Sequence, residues 1–256
     1  MTNNVLNNTC PNDFTVTTAT SGATRTLTTS NTVANAASQA FEVISVAGTS
    51  AGDPYTRWSV GTTTQYALGI DNSDSDYFKL TTAASGTTPS TATVIMKIGT
   101  TGTVQLPLTT QFYVIKDSSS TDVTGDGTYY KVALNSEKFD IQSAFDPSTN
   151  FYFTAPVAGK YFFSGIIRLL QIGSSHNIAL SRIRINGATD SCIYTVEPDE
   201  AESGSSNLTM PVIDFISLAA NDTVELGISV GGSTKVVDVA GNAFTWMTYM
   251  QGILFG

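Results

Sequence analysis

From residue 111 onward, apolar and polar positions alternate in short runs separated by Gly, Pro, Asn and Asp, which is the pattern of half-buried strands and turns. Ten such runs are predicted as strands: 112–116, 129–134, 139–143, 151–154, 160–170, 178–185, 192–196, 208–218, 223–230 and 244–254. Helical periodicity is weak between them, so an antiparallel sandwich is expected. The stretch GKYFFSGIIRLL is long for a strand. A helix is the alternative there, but its Gly, Ser and β-branched residues weaken it, and Gly165 predicts a bend, a bulge or a close backbone approach. Asn186-Gly187 is a type I′ hairpin signal, Pro156 and Gly159 bracket a turn, and Asn221-Asp222 opens a strand. The last run is expected to be a central, buried strand.

Before residue 111 the runs are thinner: 14–29, 41–46, 55–60, 65–70, 77–81 and 93–98, with threonine at many outward positions. Twenty-seven of the 39 threonines fall in residues 1–110, whereas 18 of the 25 aromatic residues follow. That shift divides the chain into a Thr-rich β-module, 1–110, and an aromatic-rich module, 111–256. Short strands with few large apolar residues bury little area each, so the first module is expected to be marginal alone and to need oligomerisation for its core. Its stretch RWSVGTTTQYALGIDNSDSDYFKL, followed by TVIMKI and GTTGTVQLP, resembles modules of phage tail fibres and other trimeric fibres. That resemblance places Trp58, Gly61, Gly69, Asp71, Phe78 and Gly102 at strand ends and turns. An ordinary antiparallel module without a fibre role is the alternative.

Charge and rare residues narrow the function. A formal net charge of −9 and a pI near 4.4 repel phosphate backbones, so nucleic acid is not an expected partner. One histidine leaves two-His metal sites and His-pair relays unbuildable within one chain. Cys10 and Cys192 show no CxxC spacing; a bridge between them and two ordinary thiols are both open. MTNNVLNNTC has neither a basic nor an apolar leader region, so no Sec signal is expected, and no apolar run is long enough for a membrane span. The segment before Phe14 is read as a docking point to a larger fibre or virion assembly, or as disordered.

The order of landmarks in the second module is specific. TGDGT at 124–128 is followed by FDIQSAFDPSTNFYFTAPVAGKYFFSG at 139–165, RINGA at 184–188, LAANDTVELGI at 218–228 and FTWMTYMQGILFG from Phe244. This succession resembles the C1q-like branch of the C1q/TNF jelly-roll superfamily, in the form of heads on phage and bacterial fibres. Collagen Gly-X-Y repeats are absent, and the Thr-rich module takes the place of that stalk. The resemblance implies an all-β, C1q/TNF-like jelly-roll sandwich that trimerises by packing aromatic and aliphatic residues about a threefold axis. Tyr161, Phe163, Phe244, Trp246, Tyr249 and Phe255 are the candidates, although alternation lets only one parity of each strand face the axis.

Candidate sites are few. Asp71, Asp74 and Asp76, and Asp122 with Asp126, have the oxygen density that calcium prefers, with Asx-bonded polar turns as the alternative; no other cofactor is expected. Glu197, Asp199, Glu200 and Glu202 form an acidic loop between strands, read as a solvated loop or a receptor or cation contact. His176 sits beside serines, but without a GxSxG elbow no hydrolase is expected; it and Tyr194 are ligand-contact candidates, and Tyr55 a further sugar-stacking one. The expected function is a non-enzymatic, homotrimeric fibre or spike protein on a virion or extracellular surface, whose head attaches to a cell-surface glycan or protein. Its rival is a purely structural trimeric component: a decoration, connector or filament subunit. A glycan-degrading tailspike would need a paired-carboxylate cleft.

Overall fold

The computed structural model describes residues 30, 39–40, 42–46, 48, 50–83, 86–198 and 206–255. The first sheet runs in simple order, β1 (Tyr55–Val60), β2 (Thr64–Asp71), β3 (Tyr77–Ala83), β4 (Thr93–Ile98) and β5 (Val104–Gln105), each antiparallel to the next. Four of these strands fall on predicted runs. Residues 42–46, predicted as a strand, are exposed and carry no strand assignment, and the predicted run 14–29 lies outside the described residues. Trp58 and Gly69 fall within strands, paired to Tyr66 and Lys79, and so are not at strand ends as the resemblance placed them, whereas Phe78 lies at the start of β3.

Twelve strands follow: β6 (Gln111–Ile115), β7 (Ser118–Thr124), β8 (Tyr129–Lys131), β9 (Ser136–Ile141), β10 (Phe153–Thr154), β11 (Gly159–Leu170), β12 (Ile178–Ile185), β13 (Thr189–Val196), β14 (Asn207–Leu218), β15 (Thr223–Gly231), β16 (Val237–Asn242) and β17 (Tyr249–Leu254). The larger sheet has the order β7-β16-β11-β17-β6-β9, with β14 along the full length of β11; the smaller has β10-β15-β12-β13, with β8 also on β15. Between β11 and β17 the chain crosses from one sheet to the other repeatedly: β12 and β13 in the smaller, β14 back in the larger, β15 in the smaller. All pairings are antiparallel, and this crossing makes a jelly-roll sandwich. The all-β fold class expected from the landmarks is the fold observed.

Local chemistry explains the path. Asn186 and Gly187 both have positive φ, 51° and 66°, as a type I′ hairpin requires. At Gly165 a Cβ would stand 2.8 Å from the Tyr249 carbonyl oxygen, so the close backbone approach is the realised alternative. β17 lies between β11 and β6, which makes the C-terminal strand central as expected. The predicted run 244–254 is shorter at its start, because Asn242 Oδ1 accepts from the Phe244 and Thr245 backbone N–H groups and holds 244–248 as a loop. The core lies between the sheets, around Phe112, Phe153, Tyr161 and Phe163 with ring centroids 5.1–6.2 Å apart, and Ile167, Leu169, Ile183, Met210 and Leu226 extend it.

Candidate functional site

Strand alternation gives the larger sheet a second face, directed away from the core. On β11 the residues Tyr161, Phe163, Ile167 and Leu169 point inward, leaving Lys160, Phe162, Ser164, Ile166 and Arg168 outward. Register carries that row across the sheet: Phe162 stands beside Phe215 of β14 and Ile253 of β17, and Ser164 beside Ile213 and Gln251. Further along, Tyr113 of β6 faces Phe139 of β9, and its ring lies 5.4 Å from Trp246 and 5.4 Å from Tyr249. Phe215 meets Phe255 edge-on at 5.5 Å. Ile213 is 62% exposed, Phe215 50% and Phe255 76%, and a depression of about 220 Å³ opens between Gln111, Phe139, Phe162 and Ile253. On β11 the only charges on this face are Lys160 and Arg168, one at each end of the row.

Of the axis candidates, Tyr161 and Phe163 are corrected by the structure. Both are 0% exposed and packed inside the protomer, because they share the inward parity of β11. Tyr249, Trp246 and Phe255 belong to the outward face, and Phe244 is 92% exposed in the adjoining loop. Sequence reasoning missed Phe162, Ile166, Ile213, Phe215 and Ile253. The signal was present, since Lys160, Ser164 and Arg168 all fall on one parity and mark it as the outward one.

The other predicted residues do not converge. Asp71 and Asp74 each place a carboxylate oxygen 2.6 Å from the Lys79 ammonium. The Thr128 hydroxyl, with the Thr128 N–H that donates to Asp126 Oδ1, holds the Asp126 carboxyl below the usual range, while the Asp122 N–H donates to Asp238 Oδ1. Asp76 ends the turn with φ of 58°. His176 is buried, with Nδ1 3.0 Å from the Gly173 nitrogen; Ser175 bonds Ser233 instead. Tyr194 is exposed on β13 and Tyr55 half-buried on β1. Glu197 is exposed just after β13, and Asp199, Glu200 and Glu202 lie outside the described residues, as does Cys10; Cys192 is a half-buried thiol. Among the described residues no helix is long and apolar enough to cross a membrane.

A polar constellation that the sequence did not suggest covers the outward face of the smaller sheet. The register of β12, β15 and β8 sets Arg182 opposite Gly227 and Lys131, and Arg184 opposite Glu225. Gly227 has no side chain, and a Cβ there would collide with the Tyr129 ring, so the ring lies flat against the strand. Tyr129 donates to Glu225 Oε1 at 2.8 Å; burial and this bond push its hydroxyl far up, and it remains a donor at neutral pH. The Arg184 guanidinium stacks on the other side of the ring, 3.9 Å from its centroid. Arg182 Nη1 and Arg184 Nε each donate 2.9 Å to Asp190, and Arg182 Nη2 donates to Ser229 at 2.7 Å. Those bonds hold the Arg184 guanidinium charged and outweigh burial to keep the Asp190 carboxyl below its usual range.

No family model matches the chain, and no curated protein matches it. Among solved structures it is similar to the globular domain of zebrafish complement 1qA protein, with 18% identity over 58% of this chain and 98% of that one, at a TM-score of 0.41. It is similar to murine APRIL at 7% identity, covering 57% and 99% of the two chains with a TM-score of 0.40. The corresponding values for Eiger TNF from S. frugiperda are 9%, 58%, 93% and 0.43. All three identities are below one fifth, and what those proteins bind or assemble with stays with them.

Proposed function

We propose that this chain is a non-enzymatic, homotrimeric fibre or spike protein, self-assembled through the outward face of the larger sheet and used at an extracellular or virion surface for attachment to a cell-surface glycan or protein. Residues 111–256 are the head and 1–110 the base or shaft. The observation that carries the reading is the contiguous aromatic and aliphatic face formed by Phe139, Tyr113, Tyr249, Ile253, Phe162, Phe215 and Ile213. Fully burying one large apolar side chain contributes about 1.5–3 kcal/mol. A handful of them offsets an association cost on the order of 4–15 kcal/mol. Along β11 the face carries no charge between Lys160 and Arg168, and on its β9 side the Lys138 ammonium lies 5.6 Å from the Trp246 ring centroid, so the β11 row that would meet another copy is uncharged at its centre. Threefold closure follows the landmark resemblance, and three displayed sites turn weak contacts into avidity.

Light scattering tests the assembly. A particle of about three times the 27.0 kDa chain mass is expected, and Phe162→Asp or Ile213→Asp, both on the outward parity, should yield folded monomers. A stable 27.0 kDa monomer of the unaltered chain at micromolar concentration would overturn it. Glycan-array and whole-cell binding by the trimer test attachment; a trimer that binds neither is a structural component only.

A further inference from the structure

On the reading of the chain as an attachment head, the geometry of the smaller sheet's outward face points to a ligand site of that head, one that takes a carboxylated sugar. The first observation is a surplus of donors. Three cations, Arg182, Arg184 and Lys131, converge with two carboxylates, Asp190 and Glu225. Arg182 Nε is buried without a partner, and among the described residues the two terminal nitrogens of Arg184 have no hydrogen-bond acceptor. A planar guanidinium with both terminal nitrogens free matches a carboxylate bidentately. Arg184 is also pre-positioned: the Tyr129 ring supports its plane and Asp190 fixes its Nε, so ligand binding need not order it.

The remaining groups set the class of anion. Lys131 is held loosely, 3.4 Å from Glu225, and its ammonium lies 5.5 Å from the Tyr152 ring, so it can turn to a second ligand oxygen. The Tyr152 ring offers a flat apolar surface to the C–H face of a pyranose. Glu225 and Asp190 leave the cluster only one net positive charge, which disfavours polyphosphate and nucleic acid. Their carboxylates also accept hydrogen bonds from hydroxyl groups. One carboxylate, several hydroxyls and a flat ring face describe an acidic monosaccharide, free or at the end of a glycan.

Titration of the full chain with D-glucuronate and N-acetylneuraminate, followed by saturation-transfer NMR, tests this, with D-glucose, acetate and poly-glutamate as controls. At least one acidic sugar should bind at millimolar concentration and the controls should not. Arg184→Gln should weaken binding by about tenfold or more, and Lys131→Gln by less, with particle mass and melting temperature checked for both. Binding by acetate or poly-glutamate as strong as by the sugars would overturn the sugar assignment. Failure of both acidic sugars, or equal binding by a folded Arg184→Gln variant, would overturn the site. Where that variant still attaches to cells as the unaltered chain does, the site fails as the attachment site and the attachment reading stands; where neither attaches although an acidic sugar binds the unaltered chain alone, the attachment reading fails and the site stands.

Discussion

The five-stranded sheet β1–β5 and the jelly roll are both built from antiparallel strands, yet they bury different kinds of residue. Inside the sandwich lie Phe112, Phe153, Tyr161, Phe163 and a shell of aliphatic side chains. In the first sheet, among the described residues, Ala67 is the one buried hydrophobic; beside it are Gln65, Asp71, Lys79, Thr81 and Thr87. Its interior is a hydrogen-bonded polar seam, while Trp58, Tyr66, Ile70 and Phe78 are exposed. Alternation therefore makes strands in both regions, but a self-sufficient core forms only where large side chains fill the inward parity. The first sheet leaves its apolar side chains uncovered and relies on an ion pair.

The sandwich depends most on β17. Deleting the chain from Tyr249 onward removes the strand that joins β11 to β6, and the sandwich should lose cooperative folding altogether. A soluble truncation that still melts cooperatively would contradict its central place. Phe163→Ala should come next, costing about 3–5 kcal/mol through a cavity among Phe112, Phe153 and Tyr161. The matching aromatic deletion in the first sheet, Trp58→Ala, should cost within about 1 kcal/mol in dilute, monomeric protein, since that side chain is already half in water. Chemical denaturation of both variants measures the contrast, and equal losses would mean the two regions are held alike.

A sharper cut falls on the polar seam itself. Lys79→Met leaves Asp71 buried without its cation, while Asp74 can turn to solvent. Breaking a buried pair in this way costs about 3 kcal/mol. The loss should be confined to β1–β5, seen as an earlier separate transition or faster amide exchange there, with the sandwich melting unchanged. A uniform shift of both would show that the sheet and the sandwich unfold as one.

The sandwich was more legible than its surfaces. Ten predicted runs coincide with or overlap observed strands, because β-branched and aromatic residues alternate there and Asn-Gly and Pro-x-x-Gly mark the turns. β7 was illegible, since SSSTDVT has almost nothing apolar to alternate; it is ordered by pairing with β16, more than a hundred residues away. The outward aromatic face was half legible: Phe162 and Phe163 look equivalent until Lys160, Ser164 and Arg168 are used to set parity. The cluster of Tyr129, Arg182, Arg184 and Glu225 was not legible at all. Tyr129 and Glu225 are 96 positions apart and meet because β15 pairs with both β8 and β12, a register no local pattern encodes.

The smallest expected effect is a pH dependence of the first sheet. Burial alone would raise the Asp71 carboxyl, but the Lys79 ammonium and the Ser73 hydroxyl and N–H outweigh it, so its pKa lies below the ordinary 3.8. Burial likewise opposes the Lys79 charge, yet Asp71 and Asp74 raise its pKa above 10.5. A lowered carboxylate contributes stability that is present above its unfolded value and lost as pH falls through the folded one. A raised ammonium contributes stability present below its unfolded value and lost as pH rises through the folded one. The sheet's local stability should thus be flat from mild acid to mild alkali and fall on either side, and Lys79→Met should abolish both edges. Because protonating Asp71 removes a charge and keeps the side chain's packing, the acid edge should be shallower than the loss caused by Lys79→Met. A melting profile of the first transition that slopes through neutral pH, or acid and alkaline edges that survive in Lys79→Met, would place the sheet's stability in groups other than this pair.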